Sequence, residues 1–347
     1  MNFTQTLTSW YSINKRDFPW RSTKDPYKIW LSEIIMQQTQ ITQGLPYYEA
    51  FVKQFPTVFE LAKADEETVL KLWQGLGYYS RARNLHATSK YVANDLKGQF
   101  PESYKELINL KGVGDYTASA IASICHNAPN AVVDGNVYRV LSRYFGVDIP
   151  INSSKGIKHF KELAQSLLPK KDVGNYNQAI MDFGSQQCKP KSPNCSVCPL
   201  NNGCAALKNG QIEELPIKIK KIKITKKHFN FIVFVSDDGK TILEKRTEKG
   251  IWKNLYQFPL VETSKRLTIK NFQFNKSVKQ LLKGKEFSLS LYNDKEIVHK
   301  LSHQHLYTSF WVVQVKELKK NFVYISDVHE YPVPILINKF IDAFWLY

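Results

Sequence analysis

The chain has no long apolar run. Its 347 residues contain no uninterrupted apolar stretch of about 18 residues, the length that a membrane-spanning helix needs. The N-terminal region also lacks the apolar core of a secretory signal, because Asn14–Asp17 is already polar. Internal repeats and low-complexity tracts are missing as well. We therefore expect a soluble intracellular protein with no membrane partner, placed in the cytoplasm or nucleoid if the source is bacterial.

Cysteine is scarce, and its distribution is uneven. Only five cysteines occur, and four of them fall within one short segment. An intracellular protein keeps its thiols reduced, so this pattern argues against a disulfide framework and favours a metal site. The fifth, Cys125, lies in the apolar run Ala118–Cys125 and is expected to be a small core residue. The clustered residues are Cys188, Cys195, Cys198 and Cys204.

Acidic side chains are outnumbered by basic ones. The 31 Asp and Glu residues oppose 48 Lys and Arg residues, which gives a formal net charge of +17. A surplus of this size attracts polyanions, and nucleic acid is the leading candidate. An anionic membrane surface would also suit the charge, but the missing apolar run leaves nucleic acid as the preferred partner.

Length and composition predict two folded domains. The chain is long for a single core, and 43% hydrophobic with 23% charged residues is ordinary globular composition. Residues 1–212 show helical periodicity, with apolar residues three and four apart between Gly and Pro breaks. The Asp25-Pro26 pair predicts a helix start that places Glu33 on a helix. A basic linker, in which lysines alternate with isoleucines, is expected at 213–228.

The second domain, 229–347, is predicted to be α+β. Phe229–Val235 is apolar and β-branched, Asp237–Gly239 is a turn signal, and Thr241–Leu243 resumes the strand pattern. The expected fold class is therefore a mainly α domain followed by a β-rich domain with a few helices.

The cysteine spacing allows two kinds of metal group. Four thiolates can hold a 4Fe-4S cluster or a structural zinc ion. Zinc sites usually use two close pairs, whereas only Cys195 and Cys198 form such a pair here. The gaps of six, two and five residues resemble the cluster loop of the endonuclease III superfamily of DNA glycosylases. This resemblance implies one 4Fe-4S cluster bound by the loop 188–204.

A glycine-containing turn, Leu110–Gly114, lies between two predicted helices. Two glycines allow a tight turn, and the amides at the following helix N-terminus form a natural phosphate site. The turn resembles the helix-hairpin-helix of DNA-repair enzymes, with Lys111 where that family usually carries Pro. The resemblance implies phosphate contacts from Lys111, Gly112 and Gly114. A plain αα-hairpin would show a similar pattern.

Two carboxylates are candidates for acid–base chemistry. Glu33 lies among apolar residues, which would raise its pKa and keep it protonated as an acid must be. Asp134, within Val133–Val137, precedes a helical pattern. From the local pattern alone, Glu33 could equally be a solvent-facing helix residue and Asp134 a helix N-cap.

Several motifs together resemble the MutY family of adenine DNA glycosylases. The resemblance covers about residues 9–204 in order and, less specifically, the second domain. It implies a helix-hairpin-helix glycosylase domain with an iron-sulfur loop, followed by a MutT-like domain. The implied function is base excision repair of adenine paired with 8-oxoguanine or guanine. The motifs that carry it are Leu31–Gln40, Gly75–Asn84, the Leu110–Gly114 hairpin, Val133–Val137 and the four clustered cysteines.

The resemblance implies a role for each catalytic candidate. Glu33 would protonate the adenine ring. Asp134 would stabilise the sugar cation that develops as the N-glycosidic bond breaks, by electrostatics or through a transient covalent adduct. Asn136 and Tyr116 would orient these groups.

Other positions match family residues that handle the flipped base. Trp20 and Arg21 would help line the adenine pocket, although Trp20 could equally be a core aromatic. Base extrusion leaves a gap in the duplex that planar or amide side chains fill well. Gln38, Leu76 and Tyr78 match the wedge positions, although Tyr78 could instead only pack a loop.

The second domain resembles the MutT-like (Nudix-fold) recognition domain of the same family, most clearly over Gly250–Pro259. It lacks a run of the type Arg-Glu-x-x-Glu-Glu, so no carboxylate set for metal-dependent pyrophosphate hydrolysis is expected. Its implied role is binding. Ser302 and His303 match the loop that contacts 8-oxoguanine, but Leu301 replaces the family's Phe and offers no aromatic ring for stacking.

The combined prediction is a monofunctional glycosylase, acting as a monomer on double-stranded DNA that contains an adenine:8-oxoguanine mispair. A rival enzyme is an endonuclease III-like glycosylase-lyase, which needs a lysine nucleophile just after the hairpin. Tyr116 occupies that position. A rival of another class is a non-catalytic DNA binder or redox sensor built on the cluster, which leaves the pair Glu33 and Asp134 unexplained.

Overall fold

The computed structural model describes residues 2–219 and 224–345. Its first part is helical. None of the helices in the described residues has the length and apolar character that a membrane span requires. The helices of this part are α1 (Phe3–Asn14), α2 (Pro26–Ile35), α3 (Ile41–Gln54), α4 (Val58–Lys63), α5 (Glu66–Leu72), α6 (Ser80–Asn94), α7 (Tyr104–Leu107), α8 (Asp115–His126), α9 (Gly135–Phe145), α10 (Ser154–Ser166), α11 (Val173–Gln186) and α12 (Ala205–Lys208).

The second part combines short and long strands with three helices. Its strands are β1 (Thr225–Ser236), β2 (Lys240–Thr241), β3 (Glu244–Lys245), β4 (Tyr256–Gln257), β5 (Leu260–Thr263), β6 (Phe287–Leu291), β7 (Ile297–Lys300), β8 (Gln304–Val315) and β9 (Val323–Tyr324). Its helices are α13 (Ile269–Phe272), α14 (Lys276–Leu282) and α15 (Ile335–Trp345). The predicted fold class, a helical domain followed by an α+β domain, is confirmed.

Local sequence explains where the functional helices begin. Asp25 caps α2, since its side chain accepts a hydrogen bond of 3.0 Å from the amide of Tyr27, and Pro26 fills the first helical position. Asp134 caps α9 in the same way. The N-termini of these two helices are therefore fixed by residues that the sequence already marks as caps.

The helical core brings α9 and α11 together beneath the N-terminus of α9. Val137, Leu141 and Phe183 are almost fully buried in this core. Gly184 lets the two helices approach closely, because a Cβ atom at this position would lie 2.6 Å from Cβ of Asn136. The packing of α11 against α9 thus fixes the position of the N-terminus of α9.

A five-stranded sheet organises the second part, with strand order β5-β1-β8-β6 and β7 paired to β8. β1 and β8 are parallel and stay in register from Thr225 opposite Gln304 to Ser236 opposite Val315. The predicted linker extended to residue 228, whereas β1 already begins at Thr225 because its pairing with β8 continues to that residue. Lys220, Lys221 and Lys223 of the predicted linker lie outside the described residues.

Contacts divide the chain into two compact units that are not contiguous in sequence. The first comprises Met1–Lys63 and Asn84–Lys220, and the second comprises Ala64–Arg83 and Lys221–Tyr347. The segment Ala64–Arg83, expected in the helical domain, therefore groups with the β-rich part. The functional domain boundaries at 212 and 229 remain predictions.

Candidate functional site

Glu33 is held in the first unit by α2, which packs against α8. Its neighbours Ser32 and Ile34 are buried, and Glu33 itself is partly buried. Burial raises the pKa of Glu33 from 4.5 to about 7; a hydrogen bond from Tyr116 and the Arg21 charge oppose this rise, and Asp134 adds to it. The carboxyl group therefore exists in both protonation states near neutral pH.

Tyr116 lies in the first turn of α8 and forms a side-chain hydrogen bond with Glu33. Its hydroxyl also lies 3.5 Å from Sδ of Met181. Burial, together with the nearby charges of Glu33 and Asp134, raises the pKa of Tyr116 well above its usual value of 10. The side chain consequently stays a neutral phenol that can donate to the Glu33 carboxylate.

Asp134 combines a capping role with a place beside Glu33. Its Oδ1 accepts hydrogen bonds from the amides of Asn136 and Val137 at 2.9 and 2.8 Å. Its Oδ2 accepts one of 2.8 Å from Nδ2 of Asn136. Burial raises the pKa of Asp134, while these N–H donors stabilise its charged form. The cap geometry thus fixes the position of the Asp134 carboxylate.

Asn136 connects this carboxylate to a buried arginine. Oδ1 of Asn136 accepts a hydrogen bond of 2.8 Å from Arg139. The same guanidinium donates to the backbone carbonyls of Gly184 at 2.6 Å and Cys188 at 2.7 Å. The Asn136 amide therefore has a fixed orientation, and its Nδ2 is directed at Asp134.

A second buried carboxylate orders the arginine beside Glu33. Asp182, whose side chain is fully buried, accepts from Arg21 at 2.6 and 2.8 Å and also forms an ion pair with Arg16. Trp20 is partly buried, stacks on Phe18 with ring centroids 5.1 Å apart, and meets another ring edge-on. Trp20 and Arg21 are thus held in fixed positions by these contacts.

Sequence reasoning missed three of these supporting residues. Arg16 pairs with Asp182 across 166 residues, and Arg139 joins its neighbour Asn136 to the distant carbonyls of Gly184 and Cys188, so no local motif shows these roles. A signal was available only for Asp182, which interrupts the otherwise apolar run Ile180–Phe183 of a predicted helix. A lone acidic residue in such a run needs a buried partner.

The four clustered cysteines are free of disulfide bonds and partly buried. Burial is the main cause of the raised pKa of Cys198. Electrostatic interaction with the thiolate forms of the other three cysteines also raises it, so the four lie close enough to interact. Arg143 on α9 donates to the carbonyl of Lys189 at 2.7 Å and contacts Sγ of Cys188 at 3.5 Å. Among the described residues, no three His, Cys, Asp or Glu side chains lie close enough to hold a single metal ion.

The predicted hairpin lies between α7 and α8. Gly112 has φ of 81°, in the left-handed region, and a Cβ there would lie 2.7 Å from Cβ of Asn84. Gly114 is the N-cap of α8, and a Cβ there would meet no atom within 4 Å. Lys111 is exposed. The first-turn amides of a helix lack intrahelical partners, so this end of α8 is open to an anion.

The wedge candidates have unusual backbone conformations. Gln38, after α2, has φ of 54° and Tyr78 has φ of 48°, both in the region that non-glycine residues rarely adopt. Both are exposed, and Tyr78 has 49% of its surface accessible, whereas Leu76 is only 6% exposed. Such backbone strain is typical of functional positions.

Within the second unit, Tyr78 lies beside the tip of the β7–β8 hairpin. Its hydroxyl forms a short hydrogen bond with Oγ of Ser302, and Ser302 and His303 are exposed. The tip is closed by a 2.8 Å bond from the amide of Leu301 to the carbonyl of Gln304. Leu76, Tyr78, Ser302 and His303 all line one cavity of about 490 Å³.

The sequence-predicted residues thus form separate groups. Glu33, Tyr116, Asp134 and Arg21 interact with one another in the first unit. The wedge and loop residues of the 490 Å³ cavity belong to the second unit. The structure therefore brings the catalytic candidates together in the first unit and four base-handling candidates together in the second, whereas the wedge candidate Gln38 lies in the first unit.

Two family models match the chain. Residues 31–169 match the HhH-GPD superfamily of base excision DNA repair proteins, and residues 230–343 match the NUDIX domain. An adenine DNA glycosylase of Buchnera aphidicola (Schizaphis graminum) is 33% identical over 99% of this chain and 98% of its own length. The human adenine DNA glycosylase is 40% identical over 61% of this chain and 41% of its own length.

The chain belongs to the adenine DNA glycosylase family. It is thereby a DNA-repair enzyme of the glycosylase class, which acts on N-glycosyl bonds. The predicted resemblance to this family is confirmed.

Solved structures support the fold of the helical part. A thermostable thymine-DNA glycosylase is 31% identical, with a TM-score of 0.56, and the match covers 60% of this chain and 95% of that chain. An endonuclease III in a non-covalent DNA complex is 21% identical, with a TM-score of 0.52 over 60% of this chain and 99% of that chain. The second comparison shows a shared fold alone.

The raised pKa of Glu33 predicts a pH-dependent stability penalty. The folded state binds this proton more tightly than the unfolded chain, so the residue costs little below pH 4.5 and progressively more as pH rises to about 7. Glu33→Gln should remove a penalty on the order of 3 kcal/mol at pH 8 and less than about 1 kcal/mol at pH 5. Thermal unfolding of both proteins at the two pH values measures this difference. An equal effect of the substitution at both pH values would show that Glu33 is ionised throughout.

Proposed function

We propose that this protein removes adenine mispaired with 8-oxoguanine or guanine in double-stranded DNA. The reaction is hydrolysis of the N-glycosidic bond after base flipping, by a monofunctional enzyme in base excision repair. The observation that carries this proposal is the group of Glu33, Tyr116 and Asp134, in which one partly buried carboxyl has a pKa of about 7 and a second is held by N–H donors.

Glu33 supplies the proton. Departure of a neutral adenine is far easier than departure of its anion, so the ring must gain a proton as the bond to the sugar lengthens. A carboxyl group with a pKa of about 7 is partly protonated at neutral pH and donates readily. Tyr116 orients this group through its hydrogen bond.

Asp134 stabilises the positive charge that develops on the sugar. Its position is fixed before reaction by two backbone amides and by the Asn136 side chain, so little reorganisation is required when the cation forms. Water then completes the hydrolysis. Tyr116 offers no amine for a Schiff base, which supports a monofunctional enzyme over the glycosylase-lyase alternative.

DNA is engaged by groups that suit each part of the duplex. The hairpin residues Lys111, Gly112 and Gly114 bind phosphate at the N-terminus of α8. The exposed, strained residues Gln38 of the first unit and Tyr78 of the second are each suited to fill the gap left by the flipped adenine, with Leu76 near Tyr78 in the sequence.

Lesion specificity comes from the second unit. Adenine is a normal base, so the enzyme must read the base opposite to it. Ser302 and His303 lie at an exposed hairpin tip beside a cavity, and both can hydrogen-bond to the extra donor and carbonyl of 8-oxoguanine. A site built on such bonds discriminates against a partner that lacks them.

The cysteine loop fits a 4Fe-4S cluster, because four unbridged thiols are gathered in one loop next to a buried arginine. Cys188, Cys195, Cys198 and Cys204 would hold it. When bound, the cluster would stabilise the loop that follows the helical domain. Arg143 and Arg139 already tie the first of these cysteines to α9.

Excision is expected to depend on both carboxylates and on pH. In a single-turnover assay on an adenine:8-oxoguanine duplex, Glu33→Gln should bind DNA but lose excision, because an amide cannot donate this proton. Asp134→Asn should slow excision by about a hundredfold or more. The wild-type rate should fall as pH rises through about 7, where Glu33 loses its proton.

A cytosine:8-oxoguanine duplex is the control substrate, and strand breakage should require alkali. Near-normal excision by a folded Glu33→Gln variant would remove Glu33 from the acid role. Strand cleavage without alkali, trapped by borohydride, would favour the lyase.

Recognition is expected to be separable from chemistry. Replacing both Ser302 and His303 with Ala should reduce the preference for adenine:8-oxoguanine over adenine:guanine, since the bonds to the oxidised ring are lost. Excision of adenine opposite guanine should change little. Single-turnover rates on the two duplexes give the ratio. An unchanged ratio would place recognition in Gln38, Leu76 and Tyr78 instead.

Metal analysis tests the cluster. Protein purified without oxygen should be brown and contain about four iron atoms per chain, with no stoichiometric zinc. Cys198→Ser should weaken the loop and DNA binding more than the chemical step. Stoichiometric zinc in place of iron would contradict the cluster assignment.

A further inference from the structure

Gln74 immediately precedes the loop that carries the wedge candidates Leu76 and Tyr78. It belongs to the segment Ala64–Arg83, which is part of the second unit together with Ser302. The wedge loop, Gly75–Tyr79, therefore belongs to the same compact body as the candidate base-reading loop. What holds Gly75–Tyr79 in that body determines where Tyr78 lies relative to Ser302.

The Gln74 side chain uses both ends of its amide. Nε2 donates a hydrogen bond of 2.7 Å to Oδ1 of Asn338 on α15, and Oε1 accepts one of 3.0 Å from the amide of Val333. Asn338 is itself oriented by a 2.8 Å bond from its Nδ2 to Asp342. Gln74 and Asn338 are partly buried and Val333 is buried. The orientation of the Gln74 amide is consequently fixed by the Asn338 acceptor at Nε2 and the Val333 amide at Oε1, which Nζ of Lys71 also approaches at 3.5 Å.

The wedge loop is internally braced, so it moves as a block. Arg81 donates to the carbonyls of Leu76 and Gly77 at 3.3 and 3.2 Å. Nε1 of Trp73 donates to the Gly77 carbonyl at 3.1 Å. Gly77 and Tyr78 have φ of 73° and 48°. If the residues at which this loop begins are displaced, a loop with these constraints cannot compensate by local adjustment.

We propose that Gln74 is a positioning residue for lesion discrimination, because its amide sets the wedge loop in register with the 301–303 hairpin tip. The proposal rests on the proposed function. Tyr78 and Ser302 share a hydrogen bond. A shift of Gln74, where the loop begins, would therefore separate Tyr78, which enters the duplex, from Ser302, which reads the opposite nucleobase. Gln74 acts without touching DNA.

The same segment offers a matched control. Glu67 accepts hydrogen bonds from Lys245 at 2.7 Å and from the Tyr256 hydroxyl at 2.9 Å. These bonds join the N-terminal end of α5 to β3 and β4 within the second unit, away from the wedge loop in sequence. Glu67→Gln should weaken the attachment of the segment while leaving the Gln74 contacts intact.

The test compares Gln74→Ala, Asn338→Ala, their double variant and Glu67→Gln in the full-length protein. Single-turnover rates are measured on adenine:8-oxoguanine and adenine:guanine duplexes, and thermal unfolding is recorded for each. Gln74→Ala should lower the ratio of the two rates by about fivefold, as expected for a lost hydrogen bond. Asn338→Ala should act in the same direction, and the double variant should add little, because both remove one contact.

Glu67→Gln should lower the unfolding temperature about as much as Gln74→Ala but keep the wild-type ratio. The proposal is overturned if Gln74→Ala keeps the ratio, or slows both substrates equally, or if Glu67→Gln changes the ratio as strongly. Should Gln74→Ala fail to fold, Asn338→Ala decides by the same criteria. A wild-type enzyme that does not excise adenine opposite 8-oxoguanine would overturn the proposed function itself, which separates the two failures.

Discussion

The N-terminus of α9 is the constraint on which the rest of the site depends. Asp134 must end an extended segment, accept hydrogen bonds from two backbone amides of the helix and lie beside Glu33 at the same time. All three conditions are met only if α9 keeps its position relative to α11. The two helices approach so closely at Gly184 that there is no room for a Cβ atom. A helix cap is ordinarily a stabilising device worth about 1 kcal/mol. Here its donors also oppose the rise in the pKa of Asp134 that burial causes, so the same hydrogen bonds bear on folding and on the charge of this carboxyl group.

The same helix ties the site to the cysteine loop. One turn after Asn136, Arg139 donates to the carbonyl of Cys188, and one turn further Arg143 donates to that of Lys189. Arginine suits this task because its planar fork can satisfy several carbonyls at once. The helix therefore carries Asp134 at its N-terminus and contacts the cysteine loop along one face, and a disturbance of the loop has a direct path of hydrogen bonds to Asp134.

The sequence predicted the parts of the site that are written in contiguous motifs. The α2 cap, the Gly112 turn, the Asp134 segment and the cysteine loop each depend on residues a few positions apart, so local motifs indicate them and the family resemblance that these motifs carry suggests their roles. The Arg21–Asp182 pair could not be predicted, because its members are 161 residues apart and only the packing of helices brings them together. The start of β1 was placed too late for a similar reason, since its pairing with β8 determines where the strand begins.

Ala64–Arg83 belongs to the second unit. This affects how the proposed excision chemistry and the proposed lesion recognition can be separated by experiment. In sequence the segment lies among glycosylase helices, yet its side chains bond to β3, β4, the stretch before α15 and α15 itself. A chain cut after the helical domain would leave Glu67 and Gln74 without these partners and would expose the wedge loop from one side. Loss of discrimination in such a fragment would follow from a displaced Tyr78 as readily as from a missing Ser302. Substitution of Ser302 and His303 in the full-length protein distinguishes these causes, because it leaves the attaching hydrogen bonds of Glu67 and Gln74 in place.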